Sequence, residues 1–202
     1  MALRQYGRKP FEIFTLDDIF SDVDIASWVA KIDASCYFHA AENSEETVRP
    51  FSSISKFHNG KTYDPCTASH IYSAIVPRMP SAKLYESFDG NLWRFEQSID
   101  HIMFAKVSAE QGFGIHTDTG CEFDVDRNRF SKFTVLTYLN SDDFSGGNTE
   151  FYDESWRNVI ATITPRKNRT LVFDIDLFHK GHVVKSGSKY WLGTELVCSR
   201  VS

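Results

Sequence analysis

The stretch Phe133-Thr-Val-Leu-Thr-Tyr-Leu139 decides the fold, together with similar stretches before and after it. Each is short and apolar, and in most of them β-branched or aromatic residues alternate with the period of two that is typical of strands. The pattern predicts seven strands, bounded by turn residues. They lie at residues 102–107, 133–139, 149–152, 159–164, 170–175, 182–184 and 190–198.

Turn sequences separate these predicted strands. Gly146-Gly147 and Pro165-Arg-Lys-Asn168 stand where tight turns would connect neighbouring strands. Many short strands at even spacing favour a sandwich or a jelly roll. The sequence therefore predicts a mainly β protein with flanking α-helices, a double-stranded β-helix (jelly roll) with N-terminal helices packed on one sheet.

The N-terminal half has a different pattern. Thr15-Leu-Asp-Asp18 is typical of a helix start, and apolar residues follow at helical spacing as far as Ser35. Further helices are predicted near residues 68–76 and 81–88. The polar segment 40–65 predicts a long loop that could act as a lid. We thus expect one domain, 1–202, in which 1–100 form a helical support and loop region and 101–202 form the jelly-roll core.

Composition argues against several classes of partner and location. The net charge is -5 and no basic run is present, so nucleic acid is not an expected partner. No stretch of 18 apolar residues exists, which argues against a signal peptide or a membrane span. The four cysteines are widely spaced and suggest free thiols in a reducing cytoplasm. The oligomeric state cannot be predicted.

A candidate metal site combines His116-Thr117-Asp118 with His179. Residues two apart on a strand point to the same side, so His116 and Asp118 can reach one ion. Two imidazoles and one carboxylate form the facial triad that holds Fe(II). Taken singly, His116 could be an ordinary loop histidine and His179 a strand-end histidine held by the backbone. It is their order, with Lys189 downstream, that favours a metal site.

Segments of the C-terminal half resemble a known family in the same order. They are Gly112-Phe-Gly-Ile-His-Thr-Asp118, Thr134-Val-Leu-Thr-Tyr-Leu-Asn140, Ser145-Gly-Gly-Asn-Thr-Glu-Phe151, Thr164-Pro-Arg-Lys-Asn-Arg-Thr-Leu-Val-Phe173 and His179-Lys-Gly-His-Val-Val-Lys-Ser-Gly-Ser-Lys189. Together they are similar to the catalytic half of the prolyl-4-hydroxylase-like, iron(II)- and 2-oxoglutarate-dependent dioxygenases. Asn168 stands where that family usually has glycine.

The resemblance implies roles for individual residues. His116, Asp118 and His179 would be the catalytic iron ligands, and Lys189 would pair with the distal carboxylate of 2-oxoglutarate. Three further residues would line the co-substrate pocket: Tyr138, as a hydrogen-bond donor, Thr149 and Thr194. The implied cofactors are Fe(II), 2-oxoglutarate and O2, with ascorbate as a candidate reductant.

The implied reaction is hydroxylation of an unactivated C–H bond, with release of succinate and CO2. A prolyl or other amino-acid side chain, peptidyl or free, is the expected substrate, so the partner would be a peptide or a small molecule. The loops 40–65 and 119–131 are expected to contact it, with Arg127, Arg129 and Tyr63 as candidate contacts. Two other classes stay open, a non-enzymatic jelly-roll binding module with a vestigial metal site and a zinc-dependent hydrolase.

Three residues leave alternatives for single roles. Lys106 stands where many relatives have a tyrosine, so it could supply the missing donor or face elsewhere. His182 is a weaker candidate than His179 for the last ligand. Lys185 could rival Lys189 as the anion partner, although its place before Ser186-Gly187 is typical of a solvated turn lysine.

Overall fold

Antiparallel strands dominate the chain in a computed structural model, which describes residues 4–6, 12–35, 58–79, 85–86, 92–118, 122–124 and 128–201. The elements are β1 (Arg4–Tyr6), β2 (Ile13–Asp17), α1 (Asp22–Ala34), β3 (His58–Tyr63), α2 (Pro65–Ile75), β4 (Tyr85–Glu86), β5 (Leu92–Ser98), β6 (His101–Ser108), β7 (Phe113–His116), β8 (Glu122–Asp124), β9 (Arg129–Tyr138), β10 (Phe144–Gly146), β11 (Thr149–Tyr152), β12 (Val159–Ile163), β13 (Arg169–Asp174), β14 (His179–Gly181) and β15 (Val184–Val201). None of the described helices is both long and apolar enough to cross a membrane.

The strands form two sheets. The larger sheet runs β1-β2-β13-β9-β15-β5-β4, with β10 and β6 also paired to β15, β3 paired to β6 and β8 paired to β9. The smaller sheet has the order β12-β11-β14-β7. Two antiparallel sheets facing each other are the architecture of a jelly roll, as the sequence predicts.

Two apolar layers hold this architecture together. Between the sheets, residues of β9 and β13 pack against residues of β11 and β12. This layer contains Tyr138, Phe151, Ala161, Ile163, Leu171 and Phe173. On the outer face of the larger sheet, both helices pack through Ile25, Trp28, Ile32, Ala68, Ile71 and Ile75. The expectation that helices pack on one sheet is therefore confirmed.

Side chains of β15 point alternately to the apolar layer beneath the helices and to the space between the sheets. Tyr190, Leu192 and Leu196 belong to the apolar layer beneath the helices. Lys189 and Trp191 point the other way and line a cavity between the sheets. Because side chains alternate along a strand, one element contributes both to the core and to the inner surface of the barrel.

Most predicted strands are confirmed within a few residues, and β11 has the predicted bounds. The predicted strand at 182–184 is wrong. His179–Gly181 forms β14 instead, and His182 and Val183 connect it to β15. The last strand is longer than predicted, because the polar residues before Tyr190 pair with β10 and β6 rather than forming a free turn.

The predicted start of the first helix is wrong. Thr15–Asp17 belongs to β2, which pairs with β13 and β1, and helix α1 begins at Asp22. Ser21 caps it, since its Oγ accepts from the amide of Asp24 at 3.1 Å while the Asp24 carboxylate accepts from the amide of Ser21 at 3.0 Å. Ile25, Trp28 and Ile32 are buried, as the helical spacing predicts.

Strands also occur in the half expected to be helix and loop. Within the predicted loop 40–65, residues 58–63 form β3 and α2 begins at Pro65, while 40–57 lie outside the described residues. Of the helix predicted at 81–88, only 85–86 are described, and they form β4. In the predicted loop 119–131, residues 122–124 form β8 and β9 begins at Arg129; 119–121 and 125–127 lie outside the described residues.

Asn168 fastens the segment before α1 to the sheet. Its φ of 60° lies in the left-handed region, which explains why asparagine can replace the glycine usual at this turn. Its buried side chain then binds the backbone of Phe20 twice. Nδ2 donates to the carbonyl at 2.7 Å, and Oδ1 accepts from the amide at 3.2 Å.

Asn168 therefore offers a test of the fold. We expect Asn168→Gly to lower the free energy of unfolding by about 1–3 kcal/mol, because both hydrogen bonds to Phe20 are lost. Asn168→Ala should cost more, since it adds a side chain that is strained at positive φ. Urea unfolding of the two variants measures the difference. Equal free energies of unfolding for the two variants would show that alanine is not strained at the positive φ of position 168.

Candidate functional site

The two candidate imidazoles lie opposite each other on paired strands. His116 ends β7 and His179 begins β14, and the antiparallel register places them as direct partners. Their ring centroids are 4.2 Å apart. A separation of 63 positions in the sequence is thus closed by one strand pairing in the smaller sheet.

Backbone carbonyls fix the orientation of both rings. Nδ1 of His116 lies 2.8 Å from the carbonyl oxygen of Gly114, and Nδ1 of His179 lies 3.0 Å from that of Leu177. A carbonyl can only accept, so each Nδ1 donates and each Nε2 keeps its lone pair. Burial lowers the pKa of His179, which keeps this imidazole neutral at pH 7 and able to bind a metal.

Asp118 completes the cluster. Its Oδ1 lies 3.7 Å from Nε2 of His116 and 3.7 Å from Nε2 of His179. Its Oδ2 accepts a hydrogen bond of 2.6 Å from the hydroxyl of Thr134 on β9, which holds the carboxylate in this orientation. The three potential ligand atoms all lie within 4.8 Å of one another. Two imidazole nitrogens and one carboxylate oxygen at this spacing can hold one metal ion.

The cluster opens into a cavity of about 130 Å³ between the sheets. Its polar lining beside the cluster consists of Thr134, Thr149 and Lys189. The apolar lining comes from both sheets and comprises Met103, Phe113, Val135, Leu136, Phe173 and Trp191. An apolar wall with a few fixed polar groups is typical of a small-molecule site.

Lys189 is a buried cation in this cavity. Its side chain is 3% exposed, and Nζ donates to the carbonyl oxygen of Gly147 at 2.7 Å. Among the described residues, no carboxylate forms an ion pair with it. Desolvation lowers the pKa of Lys189 to about 8. A buried ammonium without a counter-charge is costly, and an anionic ligand would compensate it.

The Gly146-Gly147 turn makes room for Lys189. Both glycines have positive φ, 80° and 69°, as the predicted tight turn requires. A Cβ at Gly147 would lie 3.2 Å from Cδ of Lys189. The turn thus allows the backbone to approach the lysine closely enough to accept its hydrogen bond.

Tyr138 and Thr149 lie together beside the cavity. The Tyr138 hydroxyl is 2.6 Å from Oγ1 of Thr149, and only Thr149 lines the cavity directly. Burial raises the pKa of Tyr138, so its phenol stays protonated. Tyr138 is therefore positioned behind Thr149 rather than at the cavity surface.

Thr194 is not brought to this site. It is fully buried, and its hydroxyl donates to the carbonyls of Ile99 and His101 at 3.3 and 3.0 Å. It alternates with Trp191 on β15 and so faces away from the cavity. The prediction that Thr194 lines the co-substrate pocket is wrong, because strand alternation gives that face to the odd-numbered neighbours.

Lys106 also faces elsewhere. Its Nζ donates to Asp33 of helix α1 at 2.9 Å and lies 4.9 Å from the ring centroid of Tyr190. Both partners are on the helix side of the larger sheet. Lys106 therefore supplies no donor to the cavity.

The competing residues are engaged outside the cavity. Nε2 of His182 lies 2.6 Å from Oε2 of Glu150, and His182 does not line the cavity. Lys185 is exposed at the start of β15. Of the suggested substrate contacts, Tyr63 is exposed on β3 and Arg129 pairs with Glu96 at 2.6 Å, while Arg127 lies outside the described residues.

Sequence reasoning missed Thr134 and Trp191. Both stand in predicted strands, and each belongs to the set of alternate residues that faces inward. Alternation would have placed Thr134 and Leu136 on the same face of their strand. It would likewise have placed Lys189 and Trp191 on the same face of theirs. Only the three-dimensional position of Asp118 shows which face meets the cluster.

The jelly roll carries a His-Asp-His cluster that can hold one metal ion. Residues 102–194 match the 2OG-Fe(II) oxygenase superfamily. This segment is a 2OG-Fe(II) oxygenase domain, and the chain is a 2-oxoglutarate-dependent oxygenase that uses Fe(II) and O2. A comparison with curated protein sequences gave no match.

Solved structures of three prolyl hydroxylases are similar to this chain. The viral collagen prolyl hydroxylase from Paramecium Bursaria Chlorella virus-1, in complex with 2OG, is 16% identical, with 96% of this chain and 97% of that chain covered and a TM-score of 0.54. The Pseudomonas putida prolyl-4-hydroxylase is 15% identical, with 91% of each chain covered and a TM-score of 0.57. A Trichoplax adhaerens prolyl hydroxylase, in complex with a hypoxia inducible factor oxygen degradation domain peptide fragment, is 17% identical, with 93% and 83% covered and a TM-score of 0.61. At these identities the likeness shows a shared fold.

The buried charge of Lys189 makes stability depend on pH. Between about pH 8 and 10.5 the unfolded chain keeps a proton on Lys189 that the folded chain has lost, so folding becomes more favourable as the pH rises through this window. We expect Lys189→Met to raise the free energy of unfolding at pH 7 by up to about 3 kcal/mol, and the gain to disappear towards pH 10.5.

Urea unfolding of wild type and Lys189→Met from pH 7 to 10.5 measures this effect. Lys185→Met is the matched control, because it removes an exposed lysine from the same strand. The difference in the free energy of unfolding between Lys185→Met and wild type should not change over this pH range. If the free-energy difference between Lys189→Met and wild type were also independent of pH, the Lys189 ammonium would not be desolvated.

Proposed function

We propose that this oxygenase hydroxylates an unactivated C–H bond and converts 2-oxoglutarate to succinate and CO2. The expected substrate is a prolyl or other amino-acid side chain, in a peptide or free. One observation carries the proposal: a buried cation without a described counter-charge shares a cavity with a metal-binding cluster. A metal ion would bind the cluster, and a small dianion would compensate the charge of the buried ammonium.

His116, Asp118 and His179 are the proposed ligands of Fe(II). Their donor set suits ferrous iron, and three protein ligands leave coordination positions free for other molecules. When bound, the metal supplies the activation of O2 and the oxidation of 2-oxoglutarate. The chain contributes order: carbonyls hold the two rings, and Thr134 leaves Oδ1 of Asp118 as the oxygen that faces them.

Lys189 is the proposed partner of the distal carboxylate of 2-oxoglutarate. Its ammonium already has one hydrogen bond, to Gly147, and keeps two protons for a ligand. Thr149, backed by Tyr138, provides a hydroxyl in the same cavity. The fixed lysine would set the orientation of the co-substrate, because one end of a dianion must meet it.

The apolar lining would protect the reaction from water. Phe113 and Trp191 have ring centroids 6.1 Å apart, and Phe113 also lies 6.2 Å from the His116 ring. Exclusion of water strengthens the charge interactions of Lys189 and Asp118 with their ligands.

Two of the similar structures support an amino-acid substrate. One protein is called a collagen prolyl hydroxylase, and another was solved with a peptide fragment. Both share this fold with the chain. A peptidyl side chain is thus the first class to test, and free amino acids are the second.

A pair of histidine variants tests the metal site. Under anaerobic conditions, Fe(II) with 2-oxoglutarate should give wild type a weak visible charge-transfer band, and succinate should form once O2 is admitted. His179→Ala should lose the band and the succinate, because it removes a ligand. His182→Ala should keep both.

The reverse result would exchange the roles of His179 and His182. A wild-type protein without the band at saturating Fe(II) and 2-oxoglutarate would refute the oxygenase site. It would then favour a binding module or a zinc hydrolase.

A lysine variant tests the co-substrate site. We expect Lys189→Met to raise the Kd of 2-oxoglutarate by about 10- to 100-fold, because a charge-assisted hydrogen bond is lost. Metal affinity should change by less than threefold. Titrations of each ligand measure these constants, with Lys185→Met as control. Equal losses of metal and co-substrate would indicate misfolding and defeat the assignment.

A further inference from the structure

Glu195 is a buried carboxyl group that the proposed chemistry does not use. It is 5% exposed, in the middle of β15. Its Oε2 is buried, and the described residues provide neither a hydrogen-bond donor nor an ion pair for it. Buried carboxyl oxygens normally have donors, so an oxygen without one suggests that a ligand supplies the donor.

The position of Glu195 on β15 directs it towards the cavity side. Lys189 and Trp191 line the cavity, and Glu195 follows them at even intervals on the same face. The intervening Gly193 has no side chain, and a Cβ there would lie 2.4 Å from the carbonyl oxygen of Val135. Consequently, no side chain of β15 separates Trp191 from Glu195.

Glu195 does not line the cavity itself, but strand pairing places it beside the metal-binding cluster. Its cross-strand partner on β9 is Thr134, and the Thr134 hydroxyl donates to Asp118. Directly opposed side chains of an antiparallel pair have Cβ atoms about 5 Å apart. Lys189 is six residues away, roughly 20 Å along the strand.

This placement divides the inner face of β15 between two ligands. If 2-oxoglutarate extends from Lys189 towards the triad, Glu195 lies farther along β15, at the level of Thr134. The molecule to be oxidised must approach the metal from a side that the co-substrate does not fill. Glu195 is placed to meet that molecule.

The cations of β9 are occupied elsewhere and do not neutralise Glu195. Arg129 pairs with Glu96 at 2.6 Å and donates to Gln97 at 3.0 Å. The Lys132 ammonium lies 4.3 Å from the ring centroid of Trp93. The hydroxyl of Ser131, farther along the same strand pair, is buried and also has no hydrogen-bond partner among the described residues. This end of the sheet thus offers a carboxyl acceptor and a hydroxyl without a bound cation.

We infer that Glu195 determines specificity by binding a positively charged nitrogen, an ammonium or a guanidinium, of the substrate. This inference rests on the proposed function, because it assigns the substrate class of the same site. A cation with N–H donors would satisfy Oε2 and compensate the buried carboxylate. The arrangement is complementary, with Lys189 for the anionic co-substrate and Glu195 for a cationic substrate.

The test compares cationic substrates with uncharged counterparts. Short peptides and free amino acids containing lysine or arginine are paired with the same molecules containing norleucine or citrulline. Succinate release above the substrate-free rate is measured for wild type and Glu195→Gln. We expect cationic members to stimulate wild type, and Glu195→Gln to lower their kcat/KM by about 10- to 100-fold.

Two controls separate folding from specificity. Glu195→Gln should keep the Fe(II)–2-oxoglutarate absorption band, which shows that the variant is folded and still binds the metal and the co-substrate. Glu150→Gln removes a carboxylate of the smaller sheet that already pairs with His182, so it should leave the cationic preference unchanged.

The outcomes distinguish this inference from the proposed function. Wild type without the band and without succinate would refute the proposed function itself. Wild type that forms the band, but is stimulated by no cationic member or equally by its neutral counterpart, would overturn the role of Glu195 alone. An unchanged cationic preference in a folded Glu195→Gln would also overturn it.

Discussion

The pairing of β15 with its neighbours is the constraint on which the core and the site depend. This 18-residue strand contacts β10, β6, β9 and β5, so its register fixes the larger sheet. One face carries apolar residues beneath the helices, and the other carries Lys189 and Trp191, which line the cavity, with Glu195 farther along by strand alternation. A shift of one residue would exchange the faces, placing the lysine in the apolar layer and leucines in the cavity.

Buried charge is the second feature that connects stability to function. Lys189 and Glu195 are both almost fully buried, and neither has a counter-charge among the described residues. Such groups lower the stability of the free protein and are compensated only when ligands of opposite charge bind. The metal cluster differs, because carbonyls and Thr134 hold its side chains in place without a ligand.

Local sequence patterns predicted the strands that alternate strongly and failed where pairing is non-local. Strand β11 and the β13 region were predicted well because their β-branched and aromatic residues are typical of buried strands. Strand β3, with the sequence His-Asn-Gly-Lys-Thr-Tyr, has no such pattern and forms because β6 pairs with it. Asp17 and Asp18 suggested a helix start, whereas Asp17 in fact ends β2 and binds Arg169 across the sheet at 2.7 Å.

The sequence by itself determined the β-rich class, the Gly146-Gly147 turn and the set His116, Asp118, His179 and Lys189 as candidates. Spacing, propensity and family order carry this information because they are local or follow the chain. Only the tertiary structure decided that His116 faces His179, that Lys106 and Thr194 point away from the cavity, and that Glu195 lies beside Thr134. These facts depend on strand register and on which face of each strand is inward, and long-range pairing sets both.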